Sequence, residues 1–392
     1  MYIIGIDIGK NNHEASIIDS SGKLIGRSCR FSNTHKGADK LMAHISKHIS
    51  NEPCIFGMEA TGHYWYSIYS YLNTKGYTIN VINPIQSDSL RSMYIRQTKN
   101  DSKDSFLIAE VIRFGQFTTT SLADENLLAM RQLCRYRDAV ISDRTEIKLR
   151  INTITEQIFP EYEKLFSSIW RSSSISILQT YLTPENIAEA TVDELFAIIK
   201  DKSHNRLTLS KAIELKETAA NTFGIKIAKN AFAFQLKQLF DRLNLLNEQL
   251  ASLEKEIVTY YETFECYLHT IPGVGVIAAA TILAEIGDIH RFKNAASLVA
   301  YTGIDPSVKQ SGEFSSTHNH MSKRGSPYLR HAIFLAASTC SLHESPLNAY
   351  YKEKKAQGKH HLTVVGAVSR KLTTIIYAVL RDQTPYEPVK FC

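Results

Sequence analysis

A chain of 392 residues with 44% hydrophobic and 21% charged residues has room for two or three folded domains, and this composition excludes disorder over most of its length. Its 45 Lys and Arg against 39 Asp and Glu leave a net charge of +6, which permits nucleic-acid binding without demanding it; residues 301–392, with 12 basic against 6 acidic side chains and six histidines, hold the whole excess. Six cysteines without a C-x-x-C pair argue against a zinc module and for free thiols in a reducing compartment; with no basic leader and no apolar run near the roughly 18 residues of a membrane span, the expectation is a cytoplasmic protein with no membrane partner.

The first stretch, MYIIGIDIGK, runs as an apolar strand into one acidic residue, Asp7, between Gly5 and Gly9. A carboxylate in such a strand must be neutralised, paired or metal-bound unless it only caps the strand end. The glycines leave room for another backbone or a phosphate. Tyr2 to Ile8, Glu14 to Ile18 and Leu24 to Phe31 read as an antiparallel meander, followed by a helix from Lys36 to Ile49 with apolar positions at helical spacing. A buried strand, Cys54 to Met58, then delivers a second carboxylate, Glu59. Tyr64, Tyr66, Tyr69 and Tyr71 suit a helix packed on a sheet better than a base-stacking surface, and a fifth strand, Tyr77 to Ile82, closes at Asn83-Pro84.

This order is that of ribonuclease-H-like domains, with acids on the first and fourth strands and on a late helix, here Asp101 to Phe114. Asp101 and Asp104 are three apart, so both project from one face of its first turn, where the helix dipole favours negative charge. Helix capping accounts for Asp101 alone. The set of Asp7, Glu59, Asp101 and Asp104 suits two divalent cations about 4 Å apart.

A long helix from Leu127 to Ile158 carries Leu133, Tyr136, Val140, Ile147, Ile151, Ile154 and Ile158 among many basic residues. A second has Leu236, Leu239, Leu243, Leu246, Leu250, Leu253, Ile257 and Tyr260 at alternating steps of three and four, the seam of a coiled coil, with the first helix as its expected partner in the same chain or another. Between them, residues 167–227 read as a small helical insert without evident chemistry, with helix starts at Thr183-Pro184 and Thr191-Val192-Asp193-Glu194. From Leu268, Ile271-Pro272-Gly273-Val274-Gly275 opens a helix in the manner of a helix-hairpin-helix, whose amides face DNA phosphate. A polar loop from Lys309 to Arg324 then offers hydroxyls at Ser311, Ser315, Ser316, Thr317 and Ser322 before a helix near Pro327.

Together, GIDIGK around Asp7, MEATGHY around Glu59, VINP at Val81, TKNDSKDS around Asp101 and Asp104, LHTIPGVGVIAAATILAEIGD from Leu268, LVAYTGIDPSVKQSG from Leu298 and MSKRGSPYLRHAIF from Met321 resemble the DEDD-type transposases of bacterial insertion sequences. That group includes RNA-guided bridge recombinases and is related to pilin-gene inverting recombinases. The resemblance implies a RuvC-like catalytic domain at 1–120, a helical coiled-coil linker at 121–265 and a mainly helical C-terminal transposase domain at 266–392. It implies that Asp7, Glu59, Asp101 and Asp104 hold Mg²⁺, with room for two ions, and that Ser311 is a nucleophile forming a covalent phosphoserine link to DNA. Implied partners are donor and target double-stranded DNA, a structured guide RNA and further copies of the chain, a dimer or a synaptic tetramer. Lys323, Arg324, Arg330, Arg370 and Lys371 would then contact phosphates. The insert is longer than in compact members. Two other readings use the same residues: a RuvC-like nuclease that cuts with metal-activated water and needs no serine, and a non-catalytic nucleic-acid scaffold.

Overall fold

The computed structural model describes residues 1–49, 52–60, 62–82, 101–115, 125–306, 310–311, 314–315 and 320–388. The chain divides into two compact units, Met1–Glu125 with Gly287–Asn294, and Asn126–Ile286 with Ala295–Cys392.

In the first unit, β1 (Tyr2–Asp7), β2 (Asn12–Ile18), β3 (Cys29–Ser32), β4 (Cys54–Glu59) and β5 (Thr78–Ile82) form one mixed sheet in the order β3-β2-β1-β4-β5. The first three strands pair antiparallel, while β4 and β5 add in parallel on the other side of β1. This is the ribonuclease-H-like order. The expected third strand, Leu24 to Phe31, is shorter than its sequence suggests: Gly26, at φ +70°, breaks the run, Leu24 makes only an isolated bridge to Ile18, and pairing resumes at Cys29. Pro84 of the VINP motif lies outside the described residues, as does Asn83.

Side-chain alternation along the strands sends two apolar sets to opposite faces. Ile4, Ile6, Ile17, Phe56 and Met58 pack with Leu41 and Ile45 of α1 (His35–His48) and with Trp65, Ile68 and Leu72 of α2 (Trp65–Thr74). Tyr64, Tyr66, Tyr69 and Tyr71 pack around this same core, the packing use that their spacing suggests. Ile3, Ile18 and Ile82 take the other face, under Ile108, Ala109, Val111 and Ile112 of α3 (Asp101–Phe114). Gly5 and Gly57 stand opposite each other in β1 and β4, and they let α3 come down onto the sheet. A Cβ on Gly5 would lie 2.1 Å from the Ser105 carbonyl oxygen and 2.5 Å from the Ala109 amide nitrogen.

The second unit begins with α4 (Glu125–Ile158), and α10 (Lys229–Tyr261) runs antiparallel to it. Arg137 of α4 pairs with Glu254 of α10 at 2.6 Å, while Ile154 and Leu239, farther along each helix in opposite senses, wall one groove. The apolar seam expected on α10 faces inward in the same chain: Leu236, Leu239, Leu243, Leu250 and Ile257 are buried, and Leu246, Leu253 and Tyr260 are half-buried. On α4, Ile147, Ile151, Ile154 and Ile158 join Leu236, Leu239 and Leu243 in one cluster. Tyr136, expected on the inner stripe, is 55% exposed, and Met130 and Cys134 are buried in its place.

Between the long helices lie α5 (Tyr162–Leu165), α6 (Ser172–Tyr181), α7 (Pro184–Glu189), α8 (Val192–Lys202) and α9 (Leu209–Ala220). Thr183 caps α7 ahead of Pro184, and Thr191 with Glu194 makes a capping box for α8. Their cores, including Tyr162, Ile177, Leu195 and Leu215, join the cluster of α4 and α10.

The remaining helices are α11 (Val276–Ile286), α12 (Ala295–Thr302), α13 (Pro327–Cys340), α14 (Pro346–Ala356) and α15 (His361–Asp382). Contrary to the sequence expectation, α15 is long and apolar enough to cross a membrane by composition. Val364, Val368, Leu372, Ile376 and Leu380 are nevertheless buried within the unit, where α12, α13 and α14 pack on it, so this is a core helix. Burying each such side chain stabilises the fold by about 1.5–3 kcal/mol.

Gly5→Ala sets a methyl group against backbone that cannot rotate away, whereas Gly57→Ala meets side chains, Ile112 at 2.6 Å and Ile108 at 3.4 Å from the new Cβ. In urea denaturation Gly5→Ala should lose about 1–3 kcal/mol and Gly57→Ala clearly less. Equal losses would mean that α3 does not rest on β1 as described.

Candidate active site

Asp7 and Glu59 reach one edge of the sheet because β1 and β4 run parallel and both end in a carboxylate. The register Ile6↔Met58 leaves the next residues, Asp7 and Glu59, on the same face, the one that α3 covers. Since α3 is pressed down over Gly5, its first turn, with Asp101 and Asp104, stands over that end of the sheet. Two hydroxyls fix this arrangement. Ser16, opposite Gly5 in β2, shares a buried 2.7 Å hydrogen bond with Ser105, and the Ser105 hydroxyl donates to the Ser102 carbonyl at 3.0 Å.

The carboxylates act on one another. Burial, followed by the charges of Asp104, Asp101 and Glu59, pushes the Asp7 carboxyl up to about 6, against a backbone hydrogen bond from Ile8 that works the other way. Asp104 is buried, Asp7 and Glu59 are half-buried, and Asp101 is exposed. Among the described residues no group of three or more His, Cys, Asp or Glu is drawn together tightly enough to hold a metal ion. The donor set still fits a divalent cation: hard carboxylate oxygens, mutually repelling, around one whose ionisation is suppressed by the others.

Gly9, which the sequence leaves open to a phosphate, is closed on one side by its own turn, with the Asn12 carbonyl oxygen 2.4 Å from a hypothetical Cβ. At the other end of α3, Glu110 is buried and takes two hydrogen bonds from Arg113, at 2.7 and 2.8 Å. That ion pair supports the fold and leaves this acid out of the candidate set.

In the second unit Ser311 lies on β6 (Gln310–Ser311), paired with Phe314 of β7 (Phe314–Ser315). Lys309, Gly312, Ser316 and Thr317 lie outside the described residues. The base of the loop is well defined. Pro306 bridges Met321, the Ser322 amide donates to the Asp305 carbonyl at 2.9 Å, the Ser322 hydroxyl donates to the Asp305 carboxylate, and the Lys323 amide donates to Gly303 at 3.0 Å. Gly325 lies directly on the Tyr301 carbonyl, where no side chain fits. Ser322 is therefore tied to Asp305.

Of the five expected phosphate contacts, Lys323, Arg324 and Arg370 are exposed. Arg330 is half-buried and donates to the Thr302 carbonyl at 3.4 Å, and Lys371 stands 5.8 Å from the Tyr350 ring. Gly273, in the turn likened to a helix-hairpin-helix, presses on the end of α13, 2.6 Å from the Cys340 amide by its hypothetical Cβ, whereas Gly275 is open.

Sequence reading missed the polar anchors. The hydroxyl pair of Ser16 and Ser105 had one signal, since Ser105 follows Asp104 on the face that bears the acids. Glu285, 3% exposed, takes hydrogen bonds from Arg135 at 2.6 and 3.0 Å and from the Ser326 hydroxyl at 2.8 Å, while Arg131 donates to the Ala284 carbonyl at 2.6 Å. Arginines that read as a basic helix face thus fasten α4 to α11 and to the start of α13.

A family model described as transposase, of the DEDD type of IS110, matches residues 4–160, and a second, described as transposase of the IS116/IS110/IS902 family, matches residues 266–352. Among the similar proteins is an insertion element IS116 protein of Streptomyces clavuligerus, 24% identical over 98% of this chain and 97% of its own length. A pilin gene-inverting protein of Moraxella bovis is 25% identical, covering 98% of this chain and 97% of its own. The transposase for insertion sequence element IS1111A of Coxiella burnetii is 24% identical over 98% and 91%.

Because the folded state raises Asp7 from 3.8 to about 6, its ionisation costs stability that is fully retained below the unfolded value and lost as pH rises through about 6. In EDTA at pH 7.5, Asp7→Asn should melt higher than wild type, and the gap should narrow at pH 5 and close only below the unfolded value of 3.8. Adding Mg²⁺ at pH 7.5 should raise the wild-type melting point and hardly move the variant. A wild type that melts the same with EDTA and with Mg²⁺ would contradict the reading.

Proposed function

Because the chain belongs to the IS116/IS110/IS902 family of transposases, we propose that it moves an insertion sequence by site-specific DNA strand exchange, with Ser311 as nucleophile and Asp7, Glu59, Asp101 and Asp104 as the holders of Mg²⁺. The observation that carries this reading is the electrostatic coupling of Asp7 to Asp104, Asp101 and Glu59 at one end of the sheet. Three chain positions supply this cluster, and its charge calls for a cation. The alignment along nearly the whole of a pilin gene-inverting protein supports rearrangement of DNA as the outcome.

When bound, divalent cations would polarise the scissile phosphodiester and offset charge gathering on it. The chain's own residues do the rest. The Ser311 hydroxyl loses its proton as its oxygen bonds to phosphorus, the bond from phosphorus to a sugar oxygen breaks, and that oxygen takes up a proton. A sugar hydroxyl of the incoming strand then reverses these steps, freeing Ser311 and joining the exchanged strands. The backbone bonds that pin Asp305, Ser322 and Lys323 at the foot of the loop support such a role, since a nucleophile must be presented to a crowded phosphate in a fixed pose.

The three-part division at 120 and 265 is kept as part of the proposal, with residues 1–120 as the RuvC-like domain. So are a structured guide RNA, a dimer coupled through the long helices that assembles as a tetramer in synapsis, and phosphate contacts by Lys323, Arg324, Arg330, Arg370 and Lys371. Exposure of Lys323, Arg324 and Arg370 supports the last of these.

Incubated with guide RNA, DNA and Mg²⁺, the protein should yield a DNA-linked peptide containing Ser311. Ser311→Ala and Asp101→Asn should each lower strand exchange by at least about 10³-fold, as loss of an essential catalytic group does, with melting unchanged. An adduct at Ser315, Ser316 or Ser322 would displace Ser311. Free cut ends without any adduct would favour the water-using nuclease.

A further inference from the structure

The insert at residues 167–227, which its sequence left without chemistry, shares a cavity of about 540 Å³ with the short helices of the second unit. Its wall combines Phe166, Arg171 at the start of α6, the turn from Lys202 to Leu207 after α8, and Lys211 of α9. Each ionisable side chain lining it is basic or imidazole: Arg171, Lys202, His204, Arg206 and Lys211. Lys202 is paired with Asp201 at 3.0 Å and Lys211 with Glu214 at 2.8 Å. Among the described residues no carboxylate pairs with Arg171, His204 or Arg206.

Such a wall is not selected by the stability of the fold. Like charges gathered on one wall repel one another. His204 and Asn205 also hold left-handed backbone, at φ 53° and 61°, which costs about 1–2 kcal/mol for each non-glycine residue. The turn is nonetheless fixed, with the Asn205 amide donating to the Lys200 carbonyl at 3.0 Å and the Leu207 amide to the Ser203 hydroxyl at 3.2 Å. It carries His204 and Arg206 to the wall of the cavity. Beside the cations lies a flat apolar surface, the Phe166 ring, with the Lys211 ammonium 5.7 Å from its centre.

We propose that this cavity binds the phosphodiester backbone of a nucleic acid, with Arg171, His204 and Arg206 on phosphate oxygens and Phe166 against the adjoining nucleoside. Guanidinium groups suit phosphate oxygens geometrically, and cations beside an aromatic face are the usual equipment of a strand-binding groove. The proposal rests on the transposase reading and adds a second binding surface, built from neither the acids of the first unit nor the basic residues of the C-terminal region.

The test uses the full chain, with Arg171→Glu and Arg206→Glu combined, and with both as Lys for comparison. Binding of a stem-loop RNA with an internal loop and of a mixed-sequence DNA duplex is followed by anisotropy over a range of salt. The Glu pair should weaken at least one probe by about tenfold and flatten its salt dependence by about two units of slope, one for each phosphate no longer neutralised. The Lys pair should bind nearly as wild type. Loss confined to RNA, or to DNA, supports the proposal and assigns the strand. Unchanged affinity and slope for both probes in a Glu pair that melts as wild type would overturn it, as would inorganic phosphate binding with neither nucleic acid affected. Should the Glu pair fail to fold, the same reading applies to Arg171→Gln with Arg206→Gln, which frees the same two phosphates and should flatten the slope by about the same two units with a smaller loss of affinity. Asp101→Asn, which disables the proposed strand exchange, should leave this binding intact, so failure here is distinguishable from failure of the catalytic reading.

Discussion

The close approach of α3 to the sheet over Gly5 and Gly57 is the interaction on which the candidate active site depends. A helix on a sheet normally rests on side chains about 10 Å from the strands. Here two glycines, adjacent in parallel strands, remove those side chains; the Ser105 carbonyl and Ala109 amide take up the space over Gly5, and the Ile112 and Ile108 side chains that over Gly57. The acids on the first helical turn are thereby brought down toward Asp7. The apolar residues of the same helix, Ile108, Val111 and Ile112, supply the burial that holds it there against the repulsion among the carboxylates. The hydroxyl pair of Ser16 and Ser105 then sets where along the strand the helix comes to rest.

Much of this was legible in the sequence because the signals were local. Asp7 and Glu59 each end an apolar strand, and the helical spacing of Asp101 and Asp104 fixes a common face. What local pattern could not supply was the partner of each residue. Gly5 read equally well as room for a phosphate or for a backbone, and only the packed helix distinguishes them. Leu24 to Phe31 has the residues of a strand, but Gly26 adopts a left-handed turn against the His48 ring, and the run is interrupted. Tyr136 has the spacing of a core residue and the environment of a surface one. Arg131 and Arg135 look like a solvated basic stripe until Glu285 and the Ala284 carbonyl appear beside them, more than a hundred residues later in the chain. The composition of α15 would suit a membrane, and its burial under three neighbouring helices explains that composition without one.

In the second unit the chain devotes its apolar material to rigid supports and leaves basic surfaces on their edges. The two long helices contribute to one core with the short helices of the insert, and the loop bearing Ser311 stands on a base closed by glycines and backbone bonds. Both features suit a protein that must hold a long charged polymer still while a few atoms react. Charged rims on a stiff frame bind such a polymer with little loss of conformational freedom.

Asp7, Glu59, Asp101 and Asp104 are proposed to act together as one divalent-cation site. The most direct measurement is electron paramagnetic resonance of Mn²⁺ added to the full chain at neutral pH, which separates bound from free ions. Tight uptake by the wild type is expected, with spin coupling between ions where two are bound, and loss of that uptake in Asp104→Asn and in Glu59→Gln alike. Equal Mn²⁺ uptake by the wild type and by both variants would contradict it.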